Sequence, residues 1–275
     1  MNNTLKIISI ILLSLVVVTL SFFLYMLIKN DFKFDENFLK IFNNQSNTLI
    51  DNKEYDSVNN ISIKSNTADI YINHATDNKF KVELYSDNEK KHSISLTDGN
   101  LNIELEEKQF SFFTKHARII LYVPSDFSNK FDIVNTTGDI KADSYENASF
   151  KVDVTTGDVK IDKADVLDIV TTTGDITNNY VNTISASCST GDIKLDTVNK
   201  SLVLKTTTGD VKINYINLTE DSSIKTTTGD VTINKKENIY IETESKTGDV
   251  KIDNNDRFAN TTLTIKVTTG DIKAS

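Results

Sequence analysis

Residues 202–213 read Leu-Val-Leu-Lys-Thr-Thr-Thr-Gly-Asp-Val-Lys-Ile, and close variants of this stretch recur through the second half of the 275-residue chain. The recurring motif is [Thr/Ser]-Gly-Asp-[Ile/Val], at spacings of 17 residues (Gly157 to Gly174) to 22 residues (Gly248 to Gly270). Self-similarity at such a period is typical of a solenoid or a strand array. The predicted corners are Gly138, Gly157, Gly174, Gly191, Gly209, Gly229, Gly248 and Gly270, which account for eight of the nine glycines.

Each unit alternates apolar and polar residues on both sides of the glycine. Positions five and seven residues before it are mostly apolar, as in Leu202 and Leu204, and the residues between them are often polar. After Gly-Asp, apolar residues return at Val211 and Ile213. Both stretches predict strands with one buried face. A straight strand would turn the Asp inward, so we expect a bend at each glycine, whose backbone tolerates unusual φ values.

Two architectures fit such units. In a β-solenoid each unit is one coil, and equivalent residues stack about 4.8 Å apart. In an antiparallel meander each unit is a hairpin. Near-identical corners favour the solenoid, since stacking rewards identity, and we predict an all-β, single-stranded β-helix. The repeat does not determine its handedness; the variable unit lengths lead us to expect an irregular right-handed coil.

The residues between Val58 and Val123 resemble degenerate copies of the same unit. Thr67-Ala68-Asp69-Ile70 resembles the corner motif with Ala68 in place of glycine. Alternating apolar residues then recur up to Val123, and Pro124 ends the last of these strands. The stretch Glu107–Arg118 breaks the pattern with three phenylalanines, and it is either an insertion into the core or an exposed loop. We place the repeat domain at 58–275, with regular units from about residue 131.

The N-terminus carries a different signal. Ile7–Ile28 contains no charged residue and would span about 33 Å as a helix, enough for a bilayer core. The run is long for a cleaved signal peptide, so we predict an uncleaved signal anchor at 1–28, although a cleaved signal remains the alternative. We expect a single-pass protein of the cell membrane with its C-terminal domain outside. Residues 29–57 form a juxtamembrane segment, either a stalk or a short amphipathic helix on the membrane.

Composition excludes several classes of protein. The net charge of −9 argues against a nucleic-acid binder. One cysteine rules out a disulfide framework or a multi-cysteine zinc site, and three dispersed histidines make a histidine-rich metal site improbable. We expect no cofactor, and no catalytic residues stand out.

The recurring aspartates are the first candidate for chemistry. Stacked carboxylates about 5 Å apart repel, so we expect the lysines two residues further on, such as Lys194 and Lys212, and corner N–H groups to offset the repulsion. Calcium bridging is the competing hypothesis, although known stacked calcium repeats have more glycine and a shorter period. The column comprises Asp139, Asp158, Asp175, Asp192, Asp210, Asp230, Asp249 and Asp271.

Other candidates have plain structural interpretations. The Thr runs suit strands through their β-branching, although a flat Thr array could also bind ice or glycan. Cys188 occupies an inward position of its unit, which predicts a buried, inert thiol. His74, His92 and His116 fall in or near predicted loops, where we expect them to be solvated.

The strand ending Arg118-Ile-Ile-Leu-Tyr-Val-Pro124, followed by Thr-Thr-Gly-Asp-Ile/Val units, resembles the bacterial β-strand-repeat "putative adhesin" family over residues 58–275. With its single N-terminal helix the chain is similar to LiaG-like membrane-anchored envelope proteins of Gram-positive bacteria. The resemblance implies a surface-exposed, non-enzymatic repeat domain of unknown biochemical role. We expect its partner to be a cell-surface glycan or a membrane protein. Three hypotheses follow: an adhesin or scaffold linked to envelope stress, a regulatory partner that senses envelope damage, and a glycan-acting β-helix enzyme.

Overall fold

The computed structural model describes residues 48–86, 90–107, 117–237 and 239–275. These residues form nineteen strands in one hydrogen-bonded sheet system. No helix long and apolar enough to cross a membrane occurs in these four ranges. The predicted anchor at Ile7–Ile28 and the three phenylalanines of Glu107–Arg118 lie outside the described residues.

The N-terminal part of the domain contains eight strands: β1 (Leu49–Tyr55), β2 (Asn60–His74), β3 (Phe80–Tyr85), β4 (Lys90–Thr97), β5 (Asn100–Glu107), β6 (Ala117–Val123), β7 (Lys130–Thr137) and β8 (Ile140–Ala142). The repeat region contains eleven more: β9 (Tyr145–Thr156), β10 (Val159–Thr173), β11 (Ile176–Thr190), β12 (Ile193–Thr208), β13 (Val211–Ile216), β14 (Ser222–Thr228), β15 (Val231–Ile233), β16 (Tyr240–Thr247), β17 (Val250–Ile252), β18 (Thr262–Thr269) and β19 (Ile272–Ala274).

The repeat units stack as parallel coils, which confirms the solenoid and excludes the meander. Strands β9 to β12 pair in parallel, with each residue opposite its counterpart one unit away. Ile169, for example, lies between Val152 and Ala186. One buried column therefore crosses seven coils, and its members are Ile133, Val152, Ile169, Ala186, Leu204, Ile224 and Ile265.

The predicted change of facing at each corner is present. In β12 the inward residues before the corner are Leu202, Leu204 and Thr206, whereas Val211 and Ile213 face inward after it. The inward residues have even numbers before the corner and odd numbers after it. A strand that alternated regularly across residues 206–211 would instead turn Val211 and Ile213 outward. The glycine at the corner resets this alternation, so apolar side chains on both sides of it reach one core.

The N-terminal end differs from the degenerate coils that the sequence predicts. Strand β2 is a true coil, because it pairs in parallel with β7 and β8 on one side and with β5 and β6 on the other. Strands β1, β3 and β4 instead pair antiparallel. They therefore close this end as hairpin-like edges. Strand β1 also lies within the segment 29–57 assigned above to the juxtamembrane region, so the sheet begins before residue 58.

At the C-terminal end, the last two coils stack in the reverse of their sequence order. Strand β18 lies between β14 and β16, and β19 lies between β15 and β17. The unit around Gly270 is thus inserted before the unit around Gly248, which forms the last coil. The last coil is also the least apolar, because Thr243 and Ser245 occupy the positions of Ile265 and Val267 in the inserted unit.

Aromatic side chains fill the core where the hairpin end meets the first regular coils. The Phe131 and Phe150 rings stack with centroids 4.3 Å apart, and Phe127 packs edge-on against Phe131. The buried Tyr145 hydroxyl donates to the Asn73 carbonyl at 2.9 Å. These contacts join β2, β7 and β9 into one core.

Candidate functional site

The predicted aspartate column exists, and it is connected by hydrogen bonds. At every step the backbone N–H of one Asp donates to Oδ1 of the Asp in the preceding coil, at 2.8–3.1 Å. Asp69, at the degenerate corner of β2, starts the ladder. In spatial order the ladder comprises Asp69, Asp139, Asp158, Asp175, Asp192, Asp210, Asp230, Asp271 and Asp249.

Backbone N–H groups offset the carboxylate repulsion more regularly than lysines do. Lys194 lies 3.1 Å from both Asp175 and Asp192, and Lys141 lies 3.7 Å from Asp139. The N–H contact, in contrast, repeats along the whole ladder. The Asp210 N–H, aided by Lys194, holds the pKa of Asp192 below its usual range despite partial burial. The sequence analysis predicted both contributions.

The corner glycines are required by contact as well as by backbone angle. Gly174 has φ +141°, and a Cβ built on it would lie 2.0 Å from the Gly157 carbonyl oxygen. The same close approach to the preceding corner occurs from Gly138 to the end of the stack. Ala68 lies opposite Ala117 of β6 rather than a glycine corner, and its φ is not positive. This explains why one corner tolerates a side chain.

The carboxylates of the ladder can be compared with what the calcium hypothesis requires. Among the described residues, no group of three or more His, Cys, Asp or Glu side chains is arranged to hold a metal ion. In the ladder, Oδ1 of Asp175 already accepts an N–H bond and Oδ2 faces Lys194. The ladder is therefore a structural element in which each carboxylate fixes the next corner.

The Thr runs divide between core and surface. The first residue of each run, Thr171, Thr206 or Thr226, is buried, while the following two are exposed. The buried hydroxyls find no hydrogen-bond partner among the described residues. The exposed ones form two adjacent columns on the outer face of the long strands.

Two buried asparagines, which the sequence analysis did not identify, donate hydrogen bonds to backbone carbonyls. Asn135 donates to the carbonyls of Ala68, Thr137 and Gly138, at 2.9–3.3 Å. Asn178 donates to the Ile161 and Asp162 carbonyls at 2.9 and 3.2 Å. Asn178 lies between Ile161 and Leu195 of the neighbouring units, and this break in an apolar column was an available signal. Asn135 lies between Ser65 and Val154, in a column that is partly polar, so its position carried no such signal.

Cys188 and the histidines are placed as follows. Cys188 is only 3% exposed, and burial raises the pKa of its thiol, which agrees with the predicted inert residue. His74 is exposed, with Nε2 2.8 Å from the Ser144 carbonyl oxygen. The expectation of a solvated side chain in or near a loop does not hold for His92. Its side chain is half-buried in β4, with Nε2 3.5 Å from Asp51. His116 lies outside the described residues.

A lysine strip is the second feature that the sequence analysis did not identify. We use this name for Lys205, Lys225, Lys266 and Lys246, on the adjacent strands β12, β14, β18 and β16. The first three lie opposite one another, whereas Lys246 lies two residues beyond Glu244, the residue of β16 opposite Lys266. All four are exposed on the outer face of the long strands. Lys225 and Lys266 lie opposite each other only because of the exchanged coil order.

The chain is similar to solved bacterial proteins, and it shares its fold with the first of the following three. A putative adhesin from Bacteroides fragilis matches over 84% of this chain and 99% of its own length, with a TM-score of 0.53 and 16% sequence identity. A putative lipid binding protein from Parabacteroides distasonis covers 84% and 98%, with a TM-score of 0.47 and 12% identity. A putative adhesin from Parabacteroides merdae covers 84% and 98%, with a TM-score of 0.40 and 15% identity.

Family comparison identifies the repeat domain directly. No curated protein matches the chain. One family model matches residues 58–275, which include the degenerate corner at Ala68 and all eight regular corners. On the strength of that match the chain belongs to the Toastrack DUF4097 family.

Proposed function

We propose that this chain is a non-enzymatic adhesin or scaffold of the cell envelope, anchored by Ile7–Ile28 and displaying the solenoid outside the cell. The observation that carries the proposal is the surface of the stack. Equivalent side chains repeat from coil to coil in straight columns, as in the ladder from Asp139 to Asp249. A surface that repeats at a fixed spacing suits a partner that itself repeats.

Membership of the Toastrack DUF4097 family supports this proposal, as does the fold shared with the Bacteroides fragilis protein. The LiaG-like resemblance supports a connection to envelope stress. The charge-free run at the N-terminus supports the anchor, because its length matches a bilayer core.

The display of the domain outside the cell can be tested by cysteine labelling. Cys188 is the sole cysteine and is buried, so the native chain should resist a membrane-impermeant maleimide. Thr172→Cys places a second thiol at an exposed position of β10. We expect intact cells to label this variant and not the native chain. Labelling of the variant only after lysis would exclude the external location.

The scaffold role requires a second measurement. In the first assay, full-length protein in nonionic detergent is mixed with purified cell-wall sacculi and sedimented. In the second, intact cells with and without the gene are compared for attachment to each other and to surfaces. We expect co-sedimentation and weaker attachment without the gene. Absence of both effects would reject the adhesin or scaffold function.

A further inference from the structure

The lysine strip concentrates positive charge on an acidic protein. Lys205 lies opposite Lys225, and Lys225 lies opposite Lys266, on neighbouring parallel strands. Parallel strands are about 4.8 Å apart, so these ammonium groups face solvent as close neighbours of like charge. The chain as a whole carries a net charge of −9. Such a local excess is unfavourable unless an anion offsets it.

Neighbouring carboxylates neutralise the strip only in part. Glu244 pairs with Lys266 at 2.9 Å, and Glu242 lies further along β16. Among the described residues, no carboxylate lies within ion-pair distance of Lys205, Lys225 or Lys246. The residues that flank Lys205 and Lys225 along their strands are uncharged, namely Val203, Thr207, Ser223 and Thr227.

The strip borders a depression in the strand face. Its volume is about 280 Å³, and its lining includes Lys225, Lys246 and Lys266 together with Glu244 and Thr268. The three lysines together hold the pKa of Glu244 below its usual value, with the Lys266 hydrogen bond as the largest cause. Three of the four lysines thus line one small volume that is open to solvent.

The chemistry of this surface favours a linear polymer of phosphodiesters. Lysine ammonium groups act as point charges that approach a phosphate from several directions. The exposed hydroxyls of Thr207, Thr227 and Thr268 add donors along the same edge. Four strands spread the charges over about 14 Å, which exceeds a single phosphate. The flanking positions carry no aromatic ring on which a nucleobase could stack.

We propose that the lysine strip binds a phosphodiester polymer of the cell surface that has a polyol rather than a nucleoside backbone. This inference rests on the proposed function and names its partner.

The test uses full-length protein in nonionic detergent and a short poly(glycerol phosphate) as the probe, with calorimetry at low salt. The strip variant Lys205→Gln/Lys225→Gln/Lys246→Gln leaves the Lys266–Glu244 pair intact. The control variant Lys160→Gln/Lys212→Gln/Lys251→Gln removes the same charge from exposed positions beyond the corner. Equal thermal midpoints of the two variants establish that both are folded.

We expect the strip variant to lose about tenfold or more in affinity and to show a weaker dependence on salt, because fewer counterions are released. The control should change affinity by less than about twofold. Equal losses in both variants would reduce the effect to net charge and overturn the proposal. Unchanged binding by the strip variant would also overturn it.

Two further probes distinguish the source of the phosphate. Binding to phosphatidylglycerol vesicles without binding to the free polymer would assign the strip to a lipid surface and overturn the proposal. Tighter binding to oligothymidine with the same number of phosphates would overturn the polyol assignment. If the strip variant still co-sediments with sacculi like the native chain, the strip inference fails while the proposed function stands.

Discussion

The backbone N–H of Asp192 donates to Oδ1 of Asp175 at 2.9 Å, and Asp192 in turn accepts the N–H of Asp210 at 3.0 Å. Each aspartate is therefore both a donor through its backbone and an acceptor through its side chain. The motif recurs because each corner supplies the acceptor that the next corner needs. This dependence makes the ladder testable one residue at a time.

Replacement of Asp175 separates its role as an acceptor from its charge. Asp175→Ala leaves the Asp192 N–H without its acceptor, and we expect the free energy of unfolding to fall by about 1 kcal/mol at this half-exposed site. Asp175→Asn retains the oxygen and should cost less than about 0.5 kcal/mol. Urea denaturation with unchanged m-values measures both. Equal losses in the two variants would mean that charge, rather than the hydrogen bond, maintains the ladder.

Substitution of a corner glycine should be far more damaging. In Gly174→Ala the new Cβ would lie 2.0 Å from the Gly157 carbonyl oxygen, at a φ that side chains rarely adopt. We expect a loss of about 3 kcal/mol or more, since neither backbone can move without breaking its ladder. Ser185→Ala, at an exposed position of the following strand, is the matched control and should be nearly neutral. A Gly174→Ala chain as stable as the control would remove the contact argument.

Acid should weaken the stack through its aspartates. The Asp210 N–H lowers the folded-state pKa of Asp192, and the Ser144 hydroxyl, with Asn179, lowers that of Asp162. A lowered pKa contributes stability above the unfolded value, about 3.9, and this contribution is lost as pH falls through the folded value. We therefore expect the urea midpoint to stay level from pH 7 to about 5 and to fall below about pH 4.

The variant Asp192→Asn tests the origin of that fall. It should show a shallower decrease than the native chain between pH 5 and 2.5, because it lacks one of the groups that must be protonated. Asp168→Asn removes a carboxylate from the outer face of β10, away from the ladder, and should follow the native curve more closely. Identical slopes for native chain and Asp192→Asn would contradict the assignment.

Much of the coil could be predicted from the sequence because the same constraint repeats. The glycine spacing, the inward pairs such as Leu202 and Leu204, and the change of facing before Val211 all follow from one unit. The inward Asn135 and Asn178 escaped prediction, since their amides bond to backbone carbonyls of another coil. The antiparallel edge at β1 and β3 also escaped it, because alternation of apolar residues does not specify the direction of pairing.

The coil order could not be predicted from the motif, since the units around Gly248 and Gly270 have equivalent corners. Composition offered a weak signal. Thr243 and Ser245 are poor inward residues for the middle of a stack, whereas Ile265 and Val267 suit it. The exchanged order is favoured because it places the more apolar unit around Gly270 inside the stack and the more polar unit around Gly248 at its end. The lysine strip depends on that order and was missed for the same reason.

Engineered disulfides test the exchanged order directly in a Cys188→Ser background. Ser223 and Thr264 are opposite each other on β14 and β18, so Ser223→Cys/Thr264→Cys should oxidise readily, because adjacent strands meet the distance that a disulfide requires. Glu242→Cys/Thr264→Cys should do likewise. Ser223→Cys/Glu242→Cys spans two strand spacings, about 10 Å, and should stay reduced. Stacking in sequence order would pair β14 with β16, so rapid oxidation of this last variant, measured by the shift of its nonreducing gel band, would exclude the insertion of β18.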